Sequence, residues 1–386
     1  MMRERMNSSV FDLKRSAIRE FARLAKETPG CISLTLGEPD FDTPKPVIEQ
    51  AKASLDGHET HYIENNGLRE LREKIAQYET NHHGFECDQS QVIVTAGATE
   101  ALFVALMGII NPGDEVIIPT PAFVLYEEII KLCRGVPVHL DTSTQGFQIR
   151  KNELSALVSS KTKAIILNTP NNPTGTILDR ESLCAVHEMA LENDIFILCD
   201  DVYRQLIYTD DYHSFTEFKD VRDRAILIQS FSKPYAMTGW RMGYLIADPQ
   251  IKERLELVHQ FDVVSTPAPF QRAAIAALDF DPVELKNTYS RRREYMLSRL
   301  KDMGLEVPAP MGAFYMFPSI AQFGMDSATF CKRMIAEAGL AATPGFCFGS
   351  DDHIRLTYCY SDDQLKEGLD RLENFIGMLH ISERGQ

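Results

Sequence analysis

Short apolar runs recur through the middle of the chain, at 91–95, 115–119, 136–140, 164–168, 196–200, 225–230 and 240–247. Each has the length of a β-strand, and between several of them lie amphipathic stretches of helical length, such as 100–110 and 180–193. This alternation predicts an α/β domain with a mainly parallel seven-stranded sheet and right-handed crossovers. Around Phe280-Asp281-Pro282 the pattern changes. A charged helical stretch at 284–303 leads to short runs at 314–317 and 354–359, joined by a helix near 327–338, which predicts a smaller α+β domain. The first forty or so residues hold one helix and the turn Gly37-Glu38-Pro39-Asp40, too little to fold alone. They are expected to pack on the C-terminal part. The division is then a large domain, 44–281, and a small domain made from 1–43 and 282–386.

Composition narrows the class. The 386 residues are 44% hydrophobic and 25% charged, ordinary for a globular protein. A net charge of −15 argues against a nucleic-acid partner, because phosphate backbones select basic faces. The triplet Arg291-Arg292-Arg293 sits in a mixed-charge helical stretch and is expected to mark a solvated face. None of the eight cysteines forms a Cys-x-x-Cys pair, so reduced thiols fit better than disulfides or zinc. The start is charged (Arg3, Glu4, Arg5) without a signal-peptide core, and no run reaches membrane-span length. A cytoplasmic protein with no membrane, nucleic-acid or metal partner is the expectation. There is no Gly-Lys pair and no Gly-x-Ser-x-Gly, which removes the P-loop and the nucleophile elbow.

The candidate chemistry falls at strand ends, where open α/β sheets bind ligands. Ser230-Phe231-Ser232-Lys233 follows the sixth run, and Arg241 follows eight residues after the lysine. A lysine can form a Schiff base with an aldehyde, while Ser230, Ser232 and Arg241 suit a phosphate. Pyridoxal 5′-phosphate offers both groups. Gly97-Ala98-Thr99-Glu100 follows the first run and opens a helix whose free N–H groups could cradle an anion; an ordinary capped turn is the alternative. Asn172, in Asn171-Asn172-Pro173-Thr174-Gly175, could donate to a phenolate oxygen or belong to a plain turn. Asp200 ends a buried run and could pair with a protonated pyridine nitrogen, with Tyr203 near the ring oxygen; a helix N-cap is the alternative. The neighbouring Asp201 is expected to face solvent or cap the next segment. Arg355 lies in a strand-like run, where it could clamp a carboxylate or form a structural ion pair.

Taken together, these segments resemble the class I/II aminotransferases, the fold type I enzymes dependent on pyridoxal phosphate. Further matches run from Leu36-Gly37-Glu38-Pro39-Asp40-Phe41 through His61-Tyr62 and Gly67-Leu68-Arg69 to Pro310-Met311-Gly312-Ala313-Phe314-Tyr315 and Pro344-Gly345. The resemblance implies that Lys233 carries the cofactor and moves the substrate's α-proton. It implies that Asp200 pairs with the pyridine nitrogen, and Asn172 and Tyr203 with the 3′-oxygen. Gly97, Ala98, Thr99, Ser230 and Arg241 would hold the phosphate, and Phe123 would stack on the ring. Arg355 would hold the substrate carboxylate with Gly37 closing over it, and Tyr62 would reach the neighbouring subunit's site in a homodimer. Asp200-Asp201-Val202-Tyr203, Met237-Thr238-Gly239-Trp240-Arg241 and Gly312-Ala313-Phe314-Tyr315 are most similar to the aminotransferase A group of Gram-positive bacteria. That group includes N-acetyl-L,L-diaminopimelate aminotransferases of lysine biosynthesis, using glutamate and 2-oxoglutarate. Aspartate or aromatic substrates, or C–S β-lyase chemistry on the same fold, are the alternatives; a non-catalytic regulator would need a DNA-binding domain ahead of Gly37.

Overall fold

A computed structural model describes residues 5–11 and 13–384. The charged start at Arg3 and Glu4 lies outside the described residues. Twelve strands are present among those described: β1 (Ile32–Ser33), β2 (Val92–Thr95), β3 (Glu115–Thr120), β4 (Val136–Asp141), β5 (Thr162–Asn168), β6 (Phe196–Asp200), β7 (Ala225–Ser230), β8 (Gly243–Ile246), β9 (Tyr315–Met316), β10 (Leu340–Ala341), β11 (Thr343–Pro344) and β12 (Ile354–Thr357).

Seven of them form one sheet in the order β2-β8-β7-β6-β5-β3-β4. The pairs β3–β4, β3–β5, β5–β6 and β6–β7 are parallel; β8 runs antiparallel to both β2 and β7. The sheet is buried on both faces because its side chains alternate between two cores. Ile166, Leu198, Ile226 and Ile228 pack with Leu102, Leu106 and Ile130 from the helices Ala98–Ile109 and Leu125–Leu132. Ile165, Leu167, Ile197 and Leu227 pack with Leu183 and Val186 of Arg180–Asn193 and with Leu71 and Ile75 of Arg69–His83.

All seven predicted strands exist, with one correction. The run at 240–247 is too long: only Gly243–Ile246 is a strand. Thr238–Trp240 wind into a 3-10 turn, and Arg241 takes a left-handed φ of 54°, which takes it out of the extended conformation.

The second core is built from both ends of the chain. Phe21, Ala25 and Leu34 pack with Met296, Phe330, Leu356 and Leu369. β1 pairs in parallel with β10, and β11-β12-β9 form an antiparallel sheet. Helices Ala17–Glu27, Val283–Asp302, Ser327–Ala338 and Asp362–Arg384 accompany these strands. The arginine triplet is not simply a solvated face. Arg292 is buried, forks onto Asp40 at 2.8 and 2.9 Å, and donates to Asp362 at 2.8 Å, pinning the turn after Gly37 to the C-terminal part. Among the described residues no helix is long and apolar enough to cross a membrane.

Candidate active site

The register of the large sheet brings its functional positions to one edge. Asn168 pairs with Asp200 and Ser230 with Gly243, while Thr95 flanks Gly243 on the other side. Above this edge lies a cavity of about 680 Å³ that reaches Gly37, Ala98, Thr99, Phe123, Asn172, Asp200, Tyr203, Ser230, Ser232, Lys233, Arg241 and Arg355. Thus residues dispersed over more than 300 positions of sequence meet in one cleft. Gly97 stands directly behind Arg241. Tyr62 is not in the cleft; it projects from another surface and is 90% exposed.

Lys233 sits just beyond the end of β7, and its Nζ donates to Gly37 O at 2.7 Å. Burial is the main force on this amine and pulls it from the ordinary lysine range to about 8. The glycine is required at 37, because a Cβ there would lie 2.2 Å from the Tyr315 hydroxyl.

Asp200 closes β6 and is 4% exposed. Its Oδ2 accepts from the Tyr126 hydroxyl at 2.6 Å, while its Oδ1 is buried without a hydrogen-bond partner. Burial pushes the carboxyl up to about 6, against the opposing hydrogen bonds from Tyr126 and the Val202 backbone N–H. No helix follows, so Asp200 is not an N-cap; the chain turns through Arg204 N–H to Asp201 O and Leu206 N–H to Tyr203 O. Asn168 donates its amide to Asp200 O at 2.9 Å and accepts from Asn172 N–H at 2.8 Å, fixing the Asn171–Gly175 turn to the strand ends.

Asp201 corrects an expectation. It is 2% exposed and faces a buried network, 3.6 Å from Arg204, not solvent. Arg204 donates to both oxygens of Glu79 at 2.7 Å, and Tyr244 adds a 2.6 Å hydrogen bond to the same carboxylate.

At the other end of the cleft Arg355 is 2% exposed. Its Nη1 donates to Asn172 Oδ1 at 2.8 Å and its Nη2 to Thr35 O at 2.7 Å, while its Nε is buried and unpartnered. The guanidinium lies 4.7 Å from the Tyr315 ring centroid and 4.8 Å from that of Phe348. These partners are all neutral, and among the described residues Arg355 makes no ion pair, contrary to the structural-ion-pair alternative. A buried cation without a counter-charge is costly and favours an incoming anion. Because Arg355 takes the Asn172 oxygen, that amide is left with N–H groups to donate. Tyr203 shares its hydroxyl hydrogen bond with Tyr315 at 2.7 Å.

The third region is a turn. Gly97 has φ 79° and precedes the twelve-residue helix Ala98–Ile109, which has no side-chain cap. A Cβ on Gly97 would lie 2.6 Å from Arg241 Nη2, and one on Gly243 would lie 2.9 Å from Ala98 N. Glycines therefore let backbone N–H groups, a helix dipole and a guanidinium converge on one point. Ser230 and Ser232 border it, with Ser232 N–H donating to Ser230 Oγ at 3.0 Å.

Sequence reasoning missed Tyr126, which orients Asp200 from 74 residues away, and assigned no role to Tyr315. No local signal marks either, since both act on partners distant in sequence.

With this geometry in view, known proteins give a consistent picture. The family described as aminotransferase class I and II matches residues 29–372. A Bacillus subtilis protein described as a probable N-acetyl-LL-diaminopimelate aminotransferase is 38% identical, covering 97% of this chain and 96% of its own length. The aromatic-amino-acid aminotransferase 2 of Thermococcus litoralis is 37% identical over 94% of this chain and 95% of its own. The crystal structure of aspartate aminotransferase from Thermotoga maritima superposes with a TM-score of 0.92 at 35% identity, covering 96% of this chain and all of that one. From Lys233 and its cleft to the match along the chain, these findings place the protein in the class I and II aminotransferases, and it is a transaminase.

Proposed function

We propose that the cleft holds pyridoxal 5′-phosphate on Lys233, and that the protein moves an amino group between N-acetyl-L,L-diaminopimelate and the 2-oxoglutarate/glutamate pair. The observation that carries the reading is a pair of unmet demands in one cavity: the unpartnered Asp200 Oδ1 and the Arg355 cation without an anion. A protonated ring nitrogen would answer the first and a substrate carboxylate the second. When bound, the cofactor supplies an electron sink that stabilises negative charge at the substrate α-carbon.

The remaining chemistry falls to the chain. Lys233 would hold the cofactor covalently and, as a free amine, would take and return the substrate's α-proton; burial, which lowers it to about 8, leaves it able to lose its own proton near neutral pH. Asp200 keeps the ring nitrogen protonated, with Tyr126 holding the carboxylate in place. Asn172 and Tyr203, which line the cleft, would donate to the ring oxygen, and Phe123 would stack on the ring. The phosphate is taken by Gly97, Ala98, Thr99, Ser230, Ser232 and Arg241. Arg355 and the Gly37 segment take the substrate carboxylate. Tyr62, projecting away from its own cleft, would complete the site of a second copy, making the protein a homodimer with shared sites.

The domain division at 44–281 against 1–43 with 282–386 belongs to the same proposal, supported by the separate core that Phe21 and Leu34 share with Leu356 and Leu369. A cytoplasmic setting is supported by eight unpaired cysteines.

The acetylated substrate is supported by the Bacillus relative; the aspartate and aromatic relatives support a second reading, with those amino acids as donors. The test is an absorbance spectrum of cofactor-loaded protein before and after L-glutamate, followed by acetylated diaminopimelate, aspartate and phenylalanine. Loss of the visible cofactor band with 2-oxoglutarate appearing is the expected result. A band indifferent to every amino acid would contradict it, and repeated turnover without an acceptor, releasing ammonia and more than one equivalent of keto acid per site, would point to the β-lyase.

A further inference from the structure

His259 lies wholly inside the protein, on the helix Pro249–Asp262, with 0% exposure. Its Nδ1 is 2.6 Å from Glu100 Oε1 and its Nε2 is 2.7 Å from Asn65 O. Glu100 accepts from Ala96 N–H at the positive end of a helix, which favours its ionised form, and a carboxylate and a backbone carbonyl can only accept. Either neutral tautomer would leave a bare nitrogen lone pair facing an oxygen at hydrogen-bond distance. Two donors are required, and only the imidazolium has two.

Both partners matter to the cleft. Glu100 stands in the first turn of Ala98–Ile109, at the N-terminus read above as the phosphate cradle. Its second oxygen accepts from Ala96 N–H, and Ala96 O in turn accepts from Arg241 Nη2 at 3.4 Å. A bare carboxylate there would repel the anion that the turn is shaped to hold. Asn65 belongs to the segment carrying Tyr62, and the adjacent Asn66 O accepts from Val94 N–H of β2 at 3.0 Å. One ring therefore ties the Tyr62 segment to the cradle and cancels the only carboxylate in its first turn.

We infer that His259 is held as an imidazolium and acts as a positioning residue for the anion cradle, neutralising Glu100 and fixing the 95–98 turn against the Tyr62 segment. This rests on the cleft being a pyridoxal 5′-phosphate site. The Glu100 hydrogen bond also opposes burial strongly enough to raise the imidazole above its ordinary value. Asp262, on the same helix, adds in that direction.

The charge is read directly by ¹H–¹⁵N NMR on ¹⁵N-histidine-labelled wild-type protein at about pH 7.5, a unit above the ordinary imidazole value. The His259→Gln spectrum assigns the signal. Two protonated ring nitrogens are expected; a neutral tautomer overturns the inference. The positioning role is read from the ratio of Kd for pyridoxal 5′-phosphate to Kd for unphosphorylated pyridoxal. His259→Gln should weaken the phosphate ester about tenfold and pyridoxal less than about twofold, the size of effect a helix-terminus charge exerts. His259→Gln with Glu100→Gln should recover most of the loss. Equal weakening of both ligands would reduce His259 to a packing residue and overturn the positioning role. If wild-type protein binds neither ligand, the cofactor reading itself fails, and the phosphate role falls with it.

Discussion

Asp200 and Asp201 are consecutive, both buried, and aimed at opposite sides of the large sheet. Burial pushes both carboxyls upward, Asp200 to about 6 and Asp201 to about 7. What separates them is who supplies the counter-charge. Asp201 has the Arg204 cation 3.6 Å away, itself clamped by Glu79, so although its Oδ2 accepts no hydrogen bond its charge is matched within the chain. Asp200, in the cleft lining, has no cation beside it: the Tyr126 hydroxyl and the Val202 backbone N–H are its neutral donors, and its Oδ1 lacks a well-formed hydrogen bond. A buried charge that the chain has already matched is structure; one that it leaves unmatched is an invitation to a ligand. Arg355 and Arg204 repeat the contrast with opposite sign.

The comparison breaks if the two sides respond alike to mutation. The largest separation should come from Asp200→Asn. It should cost kcat/KM on the order of 10³-fold, as expected when a group that fixes a protonation state is removed. The melting temperature should hold or rise, because a half-partnered buried charge is gone. Unfolding scans beside steady-state kinetics check both halves.

Across the sheet, Glu79→Ala should do the reverse. It strands a buried arginine and should destabilise the fold by about 3–5 kcal/mol, measured by urea unfolding. The protein that remains folded should keep kcat within about threefold, since Glu79 touches nothing in the cleft.

Arg355→Ala should raise KM for every amino-acid donor on the order of 100-fold, equivalent to roughly 2–3 kcal/mol for a charge-assisted hydrogen-bonded pair. A KM unchanged for all donors would remove its carboxylate role.

The smallest effect sharpens the sign of the Asp200 environment. Its folded pKa, about 6, exceeds the unfolded value near 3.8, so the folded state holds the extra proton between these limits. This group's contribution should therefore make the cofactor-free protein lose stability as pH rises from about 4 to about 6, and Asp200→Asn should remove that slope. Chemical unfolding of wild type and variant at matched pH values measures the difference.

The elements legible in the sequence were those whose signal is local. Strand runs, the Ser230–Lys233 segment and Gly97 before its helix all announce themselves within a few residues. The overlong strand at 240–247 failed because apolar Trp240 reads as strand, whereas its indole donates to Thr43 Oγ1 at 2.9 Å from within a turn. Asp201 and Arg292 failed for a different reason. Each looks like a surface charge until its partner, respectively Arg204 with Glu79 behind it and Asp40 with Asp362, is brought in by folding. Glu100 and His259, 159 residues apart, are invisible as a pair for the same reason.

The most direct test of the account is to mix cofactor-free protein with pyridoxal 5′-phosphate, reduce with borohydride, and locate the modified peptide by mass spectrometry across a range of pH. The account predicts one label, on Lys233, absent in Lys233→Ala. Its rate of formation should rise with pH through about 8 as the amine loses its proton, then level off. A label on another lysine, or none, would contradict the assignment of the cleft.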